Sequence, residues 1–266
     1  MLRDITLGQY YPVESPVHRL DPRAKIMLAF LYIIAVFLVR GLAWYLPVLL
    51  YLIFVTWLSR LPAGLMLRSL RPMRILLVFT FVLNLFFASG QNELLRLGPL
   101  VIREEGLNNA LHFTFRLILL VTGSSVLTLT TSPVTLTDGL ERLASPLKRI
   151  GFPAHEMAMM MTIALRFIPT LVEEADKIMK AQTARGADFE SGNLLARARA
   201  MIPLLVPLFI SAFRRAGDLA MAMEARCYRG GKGRTRLHVL KFGTRDLMGF
   251  LSMAALYAVL LLPRWI

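Results

Sequence analysis

Residues 41–59 read GLAWYLPVLLYLIFVTWLS, nineteen positions without one charged side chain. A helix needs about 20 predominantly apolar residues to cross the hydrocarbon core of a bilayer. A backbone in lipid must also satisfy its own hydrogen bonds, which a helix does within one segment. This stretch therefore predicts a membrane-spanning helix.

The rest of the chain has the composition of a membrane protein. Its hydrophobic content is 56% over 266 residues and its mean hydropathy is +0.57, whereas soluble domains are roughly 45 to 50% apolar. Four more apolar stretches come close to spanning length, at 26–39, 75–92, 107–131 and 247–263. The sequence predicts an all-α polytopic membrane protein with about five transmembrane helices.

The net charge of +14 has two readings. Basic stripes are typical of nucleic-acid binding, but cytoplasmic segments of membrane proteins also carry excess Lys and Arg. The second reading fits better because the cations lie between apolar runs, so no nucleic-acid partner is expected.

The 60–74 segment has four Arg and no acid, which predicts a cytoplasmic loop, whereas 93–105 has more acids and suits the outside. We expect the N-terminus to be cytoplasmic.

A charged, mostly helical block separates the fourth span from the last. The predicted division is 1–131 for four membrane helices, 132–245 for a cytoplasmic block and 246–266 for a final membrane helix. Within the block, long helices are predicted at 154–185 and at about 193–226, the first closed by Gly186 in a left-handed conformation. The uncharged run 200–213 contains two prolines and is too short for a sixth span, which favours a buried or interfacial segment.

The two long helices end on similar tripeptides. These are Ala184-Arg185-Gly186 and Ala225-Arg226-Cys227. One copy alone is an ordinary helix end, because Arg in a last turn interacts favourably with the helix dipole. Two copies indicate two similar receptors, where small flanking residues let the tip enter a groove and the planar guanidinium meets a carboxylate or carbonyls. We expect the two ends to lie near each other on the cytoplasmic side.

With these features the chain resembles the transmembrane T component of energy-coupling factor (ECF) importers, the family that includes the cobalt and biotin transporter T subunits. The matching features span nearly the whole sequence. They are SPVHRLDPRAK at 15–25, LTLTTSP at 127–133, ALRFIP at 164–169 and the two tripeptides.

The resemblance implies a function and a set of partners. Two crossed coupling helices would dock through Arg185 and Arg226 into grooves on two ABC-type ATPases, with Ala184, Gly186, Ala225 and Cys227 as the small neighbours. A membrane-embedded S component would bind the vitamin or metal ion, so the chain itself does not name the substrate. Cys227 departs from the family's usual glycine, which puts in doubt a positive φ there.

The chain is not expected to be an enzyme. Residues 229–234, RGGKGR, fail the P-loop pattern at its first Gly and at its Ser or Thr. No cofactor or metal site is predicted, because His18, His112, His155 and His238 are scattered. Transport energy must then come from partner subunits.

A methionine cluster opens the first long helix. Met157, Met159, Met160 and Met161 are either core fillers or an adaptable contact surface for S components, because thioethers repack around different partners.

Arg116 lies inside the fourth span, where a charge is costly unless it is paired. A structural pairing with a carbonyl or carboxylate is favoured over a transport role.

Two rival classes fit the sequence less well. A secondary transporter predicts inverted repeats with broken helices and polar groups at mid-membrane, and the sequence shows no repeated membrane half. A membrane enzyme predicts clustered acids, histidines or a nucleophile at one interface, and none occurs at catalytic spacing.

Overall fold

The computed structural model describes residues 10–87, 93–97, 100–189, 193, 195, 199–230 and 240–262. They form two compact units. The first, called the bundle unit here, consists of residues 10–143 and 240–262. The second, the long-helix unit, consists of the described residues from 144 to 230. The division at 131 and 245 predicted from composition stays a prediction.

Most of the bundle unit is helical. Its helices are α1 (Pro22–Leu38), α2 (Tyr45–Leu58), α3 (Ala63–Ser69), α4 (Arg74–Phe87), α5 (Glu104–Thr130), α6 (Pro133–Ala144) and α9 (Thr244–Leu261), with short 3-10 turns at Leu42–Trp44 and Arg71–Met73. A small antiparallel hairpin, β1 (Glu93–Leu97) with β2 (Leu100–Arg103), precedes α5. The predicted all-α class is confirmed, with this hairpin as the exception within the described ranges.

Three of the described helical segments are long and apolar enough to cross a membrane. They are Ala63–Phe87, Glu104–Thr130 and Thr244–Leu261. The predicted segments 26–39 and 41–59 also form helices, α1 and α2, which are shorter than the roughly 20 residues of a full span.

One boundary prediction was wrong. Most of the 60–74 segment is not a loop, because α3 and a 3-10 turn continue from Ala63 into α4. Its arginines alternate with apolar residues that suit a helix, and charge alone does not distinguish a loop from a helix end. The predicted end of the third span, 88–92, lies outside the described residues.

The core of the bundle unit joins α1, α2, α5 and α9. Val36, Val48 and Leu119 are almost fully buried there. Tyr32 packs flat against α5 and donates a hydrogen bond to the Leu119 carbonyl at 3.1 Å. A Cβ at Gly123 would lie 2.0 Å from the Tyr32 ring, so glycine is required for this close approach.

Arg116 is held by partners within the bundle unit. Its Nη2 lies 2.9 Å from His112 Nε2 and donates to the Val39 carbonyl at 3.5 Å. Its guanidinium also lies over the rings of Phe37 and Phe113. These contacts agree with the predicted structural pairing, because aromatic faces and carbonyls stabilise a cation in an apolar setting.

Lys25 ties the start of α1 to the end of α5. Its buried ammonium group donates to the carbonyls of His18 and Thr130, both at 2.9 Å. Tyr11 N–H donates to the neighbouring Leu129 carbonyl. The last carbonyls of a helix have no partner within the helix, and a cation there also interacts favourably with the helix dipole. The motif 15–25 thus supplies the cap of α5.

Asp246 joins α9 to α1 at the same end of the unit. One carboxylate oxygen accepts from the Gly243 N–H, at the start of α9, at 2.7 Å. The other accepts from the Asp21 N–H, at the start of α1, at 2.8 Å. A single buried carboxylate therefore satisfies donors at two helix N-termini, where negative charge is favourable.

Asp21 and Arg23 form a bidentate ion pair beside this carboxylate. The Arg23 Nε and Nη2 donate to the two Asp21 oxygens at 3.0 and 2.9 Å. Arg23 also donates to the Leu240 carbonyl and lies over the Phe242 ring. Burial by itself would raise the pKa of the Asp21 carboxyl, but the hydrogen bonds and charge of Arg23 outweigh it and hold the pKa below its ordinary value.

The long-helix unit is built on two packed helices, α7 (Ala154–Ala184) and α8 (Ile202–Ala225). A 3-10 helix (Ser145–Ile150) and Gly151, at φ +85°, precede α7. Arg215 of α8 contacts Glu174 at 2.7 Å, and the Tyr228 hydroxyl donates to Met159 Sδ at 2.9 Å. Later residues of α8 thus meet earlier residues of α7, so the two helices run antiparallel.

The α7 prediction is confirmed, including its internal Pro169 and the left-handed Gly186 at φ +91°. The structure gives α8 from Ile202. The predicted start of the second long helix falls among residues that are only partly described.

Replacing Lys25 by Met should destabilise the bundle unit by about 1 to 3 kcal/mol, because the carbonyls of His18 and Thr130 lose their buried donor while the side-chain volume is kept. Thermal unfolding in detergent, followed by tryptophan fluorescence, measures this loss. Lys241→Met is the matched control, since Lys241 is exposed in the same unit. Equal unfolding temperatures for both variants would contradict the capping role of Lys25.

Replacing Asp21 by Asn should destabilise the protein at neutral pH and progressively less in acid. The folded chain holds the pKa of Asp21 below its unfolded value. The carboxylate therefore contributes stability above the unfolded pKa of about 4, and this contribution disappears as the pH falls towards the folded pKa. Unfolding temperatures of both proteins between pH 3 and 7 should converge at the acid end. A constant difference would contradict the ion-pair contribution.

Candidate functional site

The tip of α7 is a hydrogen-bonded helix end with Arg185 as its C-cap residue, directly after Ala184. Gly186 N–H donates to the Thr183 carbonyl at 2.9 Å, and Ala187 N–H donates to the Gln182 carbonyl at 3.0 Å. This pair of bonds, with the residue after the cap in a left-handed conformation, is the Schellman arrangement. It fixes the backbone on both sides of the arginine.

The tip of α8 repeats this arrangement residue by residue. Cys227 N–H donates to the Glu224 carbonyl at 2.8 Å, and Tyr228 N–H donates to the Met223 carbonyl at 3.0 Å. Arg226 occupies the position of Arg185, with nearly the same backbone angles: φ is −91° at Arg226 and −88° at Arg185.

Cys227 adopts the positive φ that its departure from glycine had put in doubt. Its φ is +56°. A side chain in this region crowds the following carbonyl and costs about 1 to 2 kcal/mol. The helix end therefore imposes the conformation in spite of the residue, and both tips have the same shape.

Both tips are open to solvent within the described structure. Ala184, Arg185, Gly186, Ala225, Arg226 and Cys227 are all exposed. Neither guanidinium has a hydrogen-bond or ion-pair partner among the residues the structure describes. A Cβ built on Gly186 meets nothing within 4 Å. Internal packing thus does not explain why the neighbours of the arginines are small.

The two tips lie at opposite ends of the helix pair. Tyr228, next to the α8 tip, contacts Met159 near the start of α7, whereas Arg185 follows the last residue of α7. The 26 residues between Met159 and Arg185 correspond to about 39 Å along a helix. The expectation that the tips lie near each other was wrong, because antiparallel packing separates two C-terminal ends. They cannot form one composite site.

The four candidate methionines divide into two groups. Met157, Met160 and Met161 are exposed. Met159 is partly covered and accepts a hydrogen bond from Tyr228. Their spacing placed them on one helix, but only the fold shows that Met159 contacts the segment after the α8 tip.

The first half of α8 carries an exposed apolar stripe. Ile202, Leu205, Val206, Phe209, Ile210 and Phe213 recur at helical spacing and are 46 to 74% exposed. The sequence favoured a buried or interfacial segment for this run. In the described structure only Leu204 within α8 is buried, and a continuous apolar face of this kind usually marks an interaction surface. The absence of charge from 200 to 213 was the signal for it.

Comparisons with known proteins place the chain in a family. A model of the family described as cobalt transport protein matches residues 13–237. The energy-coupling factor transporter transmembrane protein EcfT of Thermosediminibacter oceani is 53% identical over the full length of both chains. That of Acidaminococcus fermentans is 52% identical, with 100% of this chain and 98% of the relative covered.

A more distant relative preserves the same length. The EcfT of Lactococcus lactis subsp. cremoris is 42% identical over 98% of each chain. At these identities the similarity extends over the whole chain, including the apolar helices of the bundle unit and the paired tips of the long-helix unit. The chain therefore belongs to the energy-coupling factor transporter transmembrane proteins, the T components of ECF transporters.

Proposed function

We propose that this T component couples two ABC-type ATPases to a membrane-embedded S component, and so drives uptake of a vitamin or a metal ion. The observation that carries the proposal is the pair of arginine tips with the same backbone arrangement. Each is an exposed, rigid helix end with a guanidinium group and small neighbours. Two copies of one shape suit two copies of one receptor groove.

The separation of the tips supports two receptors on separate subunits. A globular domain of 200 to 250 residues is about 45 Å across. Equivalent grooves on two adjacent ATPase domains would then lie a comparable distance apart, close to the roughly 39 Å between the α7 and α8 ends. Each tip would dock into its own ATPase, and the antiparallel helix pair would bridge the two.

The small residues at the tips suit insertion into a groove. Ala184, Gly186, Ala225 and Cys227 are exposed, so bulkier side chains would meet no clash within the described chain. A receptor that closes around the helix end would impose this limit. In such a groove an arginine can form a bidentate pair with a carboxylate, which is stronger than a neutral hydrogen bond.

The S component is proposed to bind exposed apolar side chains of the long-helix unit. These form two separate groups, the α8 stripe from Ile202 to Phe213 and the exposed Met157, Met160 and Met161 at the start of α7. Unbranched methionine side chains can adapt to different partners. A membrane-embedded partner would remove both groups from water.

The charge distribution supports a cytoplasmic position for the segment before α1. The N-terminal ends of α1 and α9 and the C-terminal end of α5 meet in one polar cluster. Arg60, after α2, lines one cavity with Arg19 and Arg245 at the same end. This end of the bundle unit is rich in cations, and cytoplasmic segments carry such an excess.

In the proposed cycle, ATP-driven movement of the ATPases displaces the two tips relative to each other. The helix ends transmit this displacement because their hydrogen-bonded caps are rigid. Contacts such as Glu174 with Arg215 hold α7 and α8 together, so motion at the tips reaches the apolar surface. The S component then changes its orientation or its affinity for substrate.

Replacing both Arg185 and Arg226 by Glu should reduce the ATPase recovered with the tagged chain at least tenfold, because each docking carboxylate would face a like charge. Affinity purification in mild detergent, with quantification of copurifying chains, measures this. Single variants should show partial loss.

The matched control is Lys177→Glu with Arg214→Glu. It makes the same change of charge on exposed positions of α7 and α8 away from the tips, and it should retain the ATPases. Normal ATPase recovery with the tip variant, at normal membrane insertion, would refute docking through the arginines.

Replacing Cys227 by Gly should preserve ATPase recovery, because glycine adopts the observed φ of +56° without strain. Cys227→Val should reduce recovery several-fold, since β-branched residues are strongly disfavoured at positive φ. The same copurification measures both variants. Equal recovery with Val and Gly would show that the shape of the α8 tip does not matter for assembly.

A further inference from the structure

Three arginines from three separate segments line one cavity of the bundle unit. Arg19 lies before α1, Arg60 follows the end of α2 and Arg245 lies in the first turn of α9. All three are exposed at their surface positions. The cavity measures about 280 Å³ and is completed by Glu14, Ser15 and Pro16.

The positive charge of this cavity is not balanced within the described chain. Among the residues that the structure describes, Glu14 is the one carboxylate that lines the cavity, and its oxygen contacts Arg19 Nη2 at 2.5 Å. Arg60 and Arg245 have no ion-pair partner among the described residues. Convergent like charges repel each other, and a bound anion would relieve this repulsion.

The backbone presents Arg60 at the cost of strain. Arg60 has a φ of +54°, and its N–H donates to the Trp57 carbonyl at 3.0 Å. This is the position after a helix end where glycine is usual. A strained residue held by its surroundings points to a functional reason for the side chain.

A second cavity, with a mostly apolar lining, lies between the same segments. It measures about 120 Å³, and its lining includes Leu20, Leu58 and Gly249. Leu20 follows Arg19, Leu58 lies two residues before Arg60, and Gly249 lies one helical turn beyond Arg245. The basic cavity and the apolar cavity are therefore lined by neighbouring residues of the same three segments.

The flanking surface is apolar. On α2, Trp57 is 74% exposed, and on α9, Met248 is 68% exposed. Both lie within one turn of the arginines along their helices. Tryptophan is enriched where a membrane protein meets the headgroup region, which favours a position of the arginines at the level of the lipid phosphates.

We propose that these two cavities bind one anionic phospholipid. Its phosphate lies among the guanidinium groups of Arg19, Arg60 and Arg245, whose planar donors match phosphate oxygens. One acyl chain enters the apolar cavity between α2 and α9. The lipid thereby links the segment before α1 to both helices. This inference does not depend on the arginine tips.

Native mass spectrometry of the delipidated full-length chain, titrated with phosphatidylglycerol, tests the site. The unmodified chain should bind one phosphatidylglycerol tightly, and phosphatidylcholine much more weakly. Arg60→Gly and Arg245→Gln should each weaken binding about fivefold, and the double variant about 25-fold. Glycine suits the backbone at position 60, so Arg60→Gly removes the charge without disturbing the helix end.

Arg40→Gln is the matched control, since Arg40 is an exposed cation beyond the other end of α1. It should leave the affinity for phosphatidylglycerol unchanged. Equal affinity of all variants would overturn the assignment of the cavity.

Competition on the unmodified chain separates a lipid from a free anion. Inorganic phosphate and glycerophosphoglycerol, which lacks acyl chains, should compete at least a hundredfold more weakly than phosphatidylglycerol. If either competes equally well, the apolar cavity contributes nothing and the lipid proposal is overturned. This arm does not depend on the folding of any variant.

Discussion

The bundle unit depends on buried side chains that form hydrogen bonds with the unpaired backbone groups at its helix ends. Lys25 donates to the Thr130 carbonyl at the end of α5, and Asp246 accepts from the N–H groups of Asp21 and Gly243, the N-cap residues of α1 and α9. The two groups are buried and of opposite charge, and they lie at one end of the unit. A buried charge is tolerable only when it is paired and hydrogen-bonded, and here each charge serves as a cap. The position of three apolar helices follows from this polar cluster, since their ends must meet where the caps are.

The long-helix unit obeys a different constraint. Its two helices pack antiparallel, with the Glu174 to Arg215 ion pair and the Tyr228 to Met159 contact along the interface. Antiparallel packing sends equivalent C-terminal ends in opposite directions. The same Schellman closure then presents Arg185 and Arg226 at two separated places with one shape. The proposed bridge between two similar partners would need both properties, because each partner would recognise the same tip shape at its own site.

The apolar surfaces of the two units differ in what surrounds them. In the bundle unit, exposed side chains such as Trp57 and Met248 lie on helices of spanning composition, beside arginines at one boundary. In the long-helix unit, the stripe on α8 lies on a helix that ends in Arg and is preceded by a basic segment. Lipid suits the first surface, and a protein partner within the membrane suits the second. In both units, arginine side chains lie at the border of the exposed apolar surface.

The sequence by itself determined the class of the protein and the identity of its tips. Runs without charge predict helices in lipid, because no other element satisfies its backbone there, and this identified α1, α2, α4, α5 and α9. The absence of glycine from 154 to 185, followed by Gly186, predicted α7 and its end. Only the tertiary structure decided what these local signals left open. Charge could not show that most of 63–74 is helical, and spacing could not show that Met159 contacts Tyr228. The sequence also did not show that α7 and α8 run antiparallel, so the distance between Arg185 and Arg226 could not be predicted. The roles of Lys25, Asp246 and Arg60 likewise depend on partners up to 225 residues away in the chain, which local pattern does not encode.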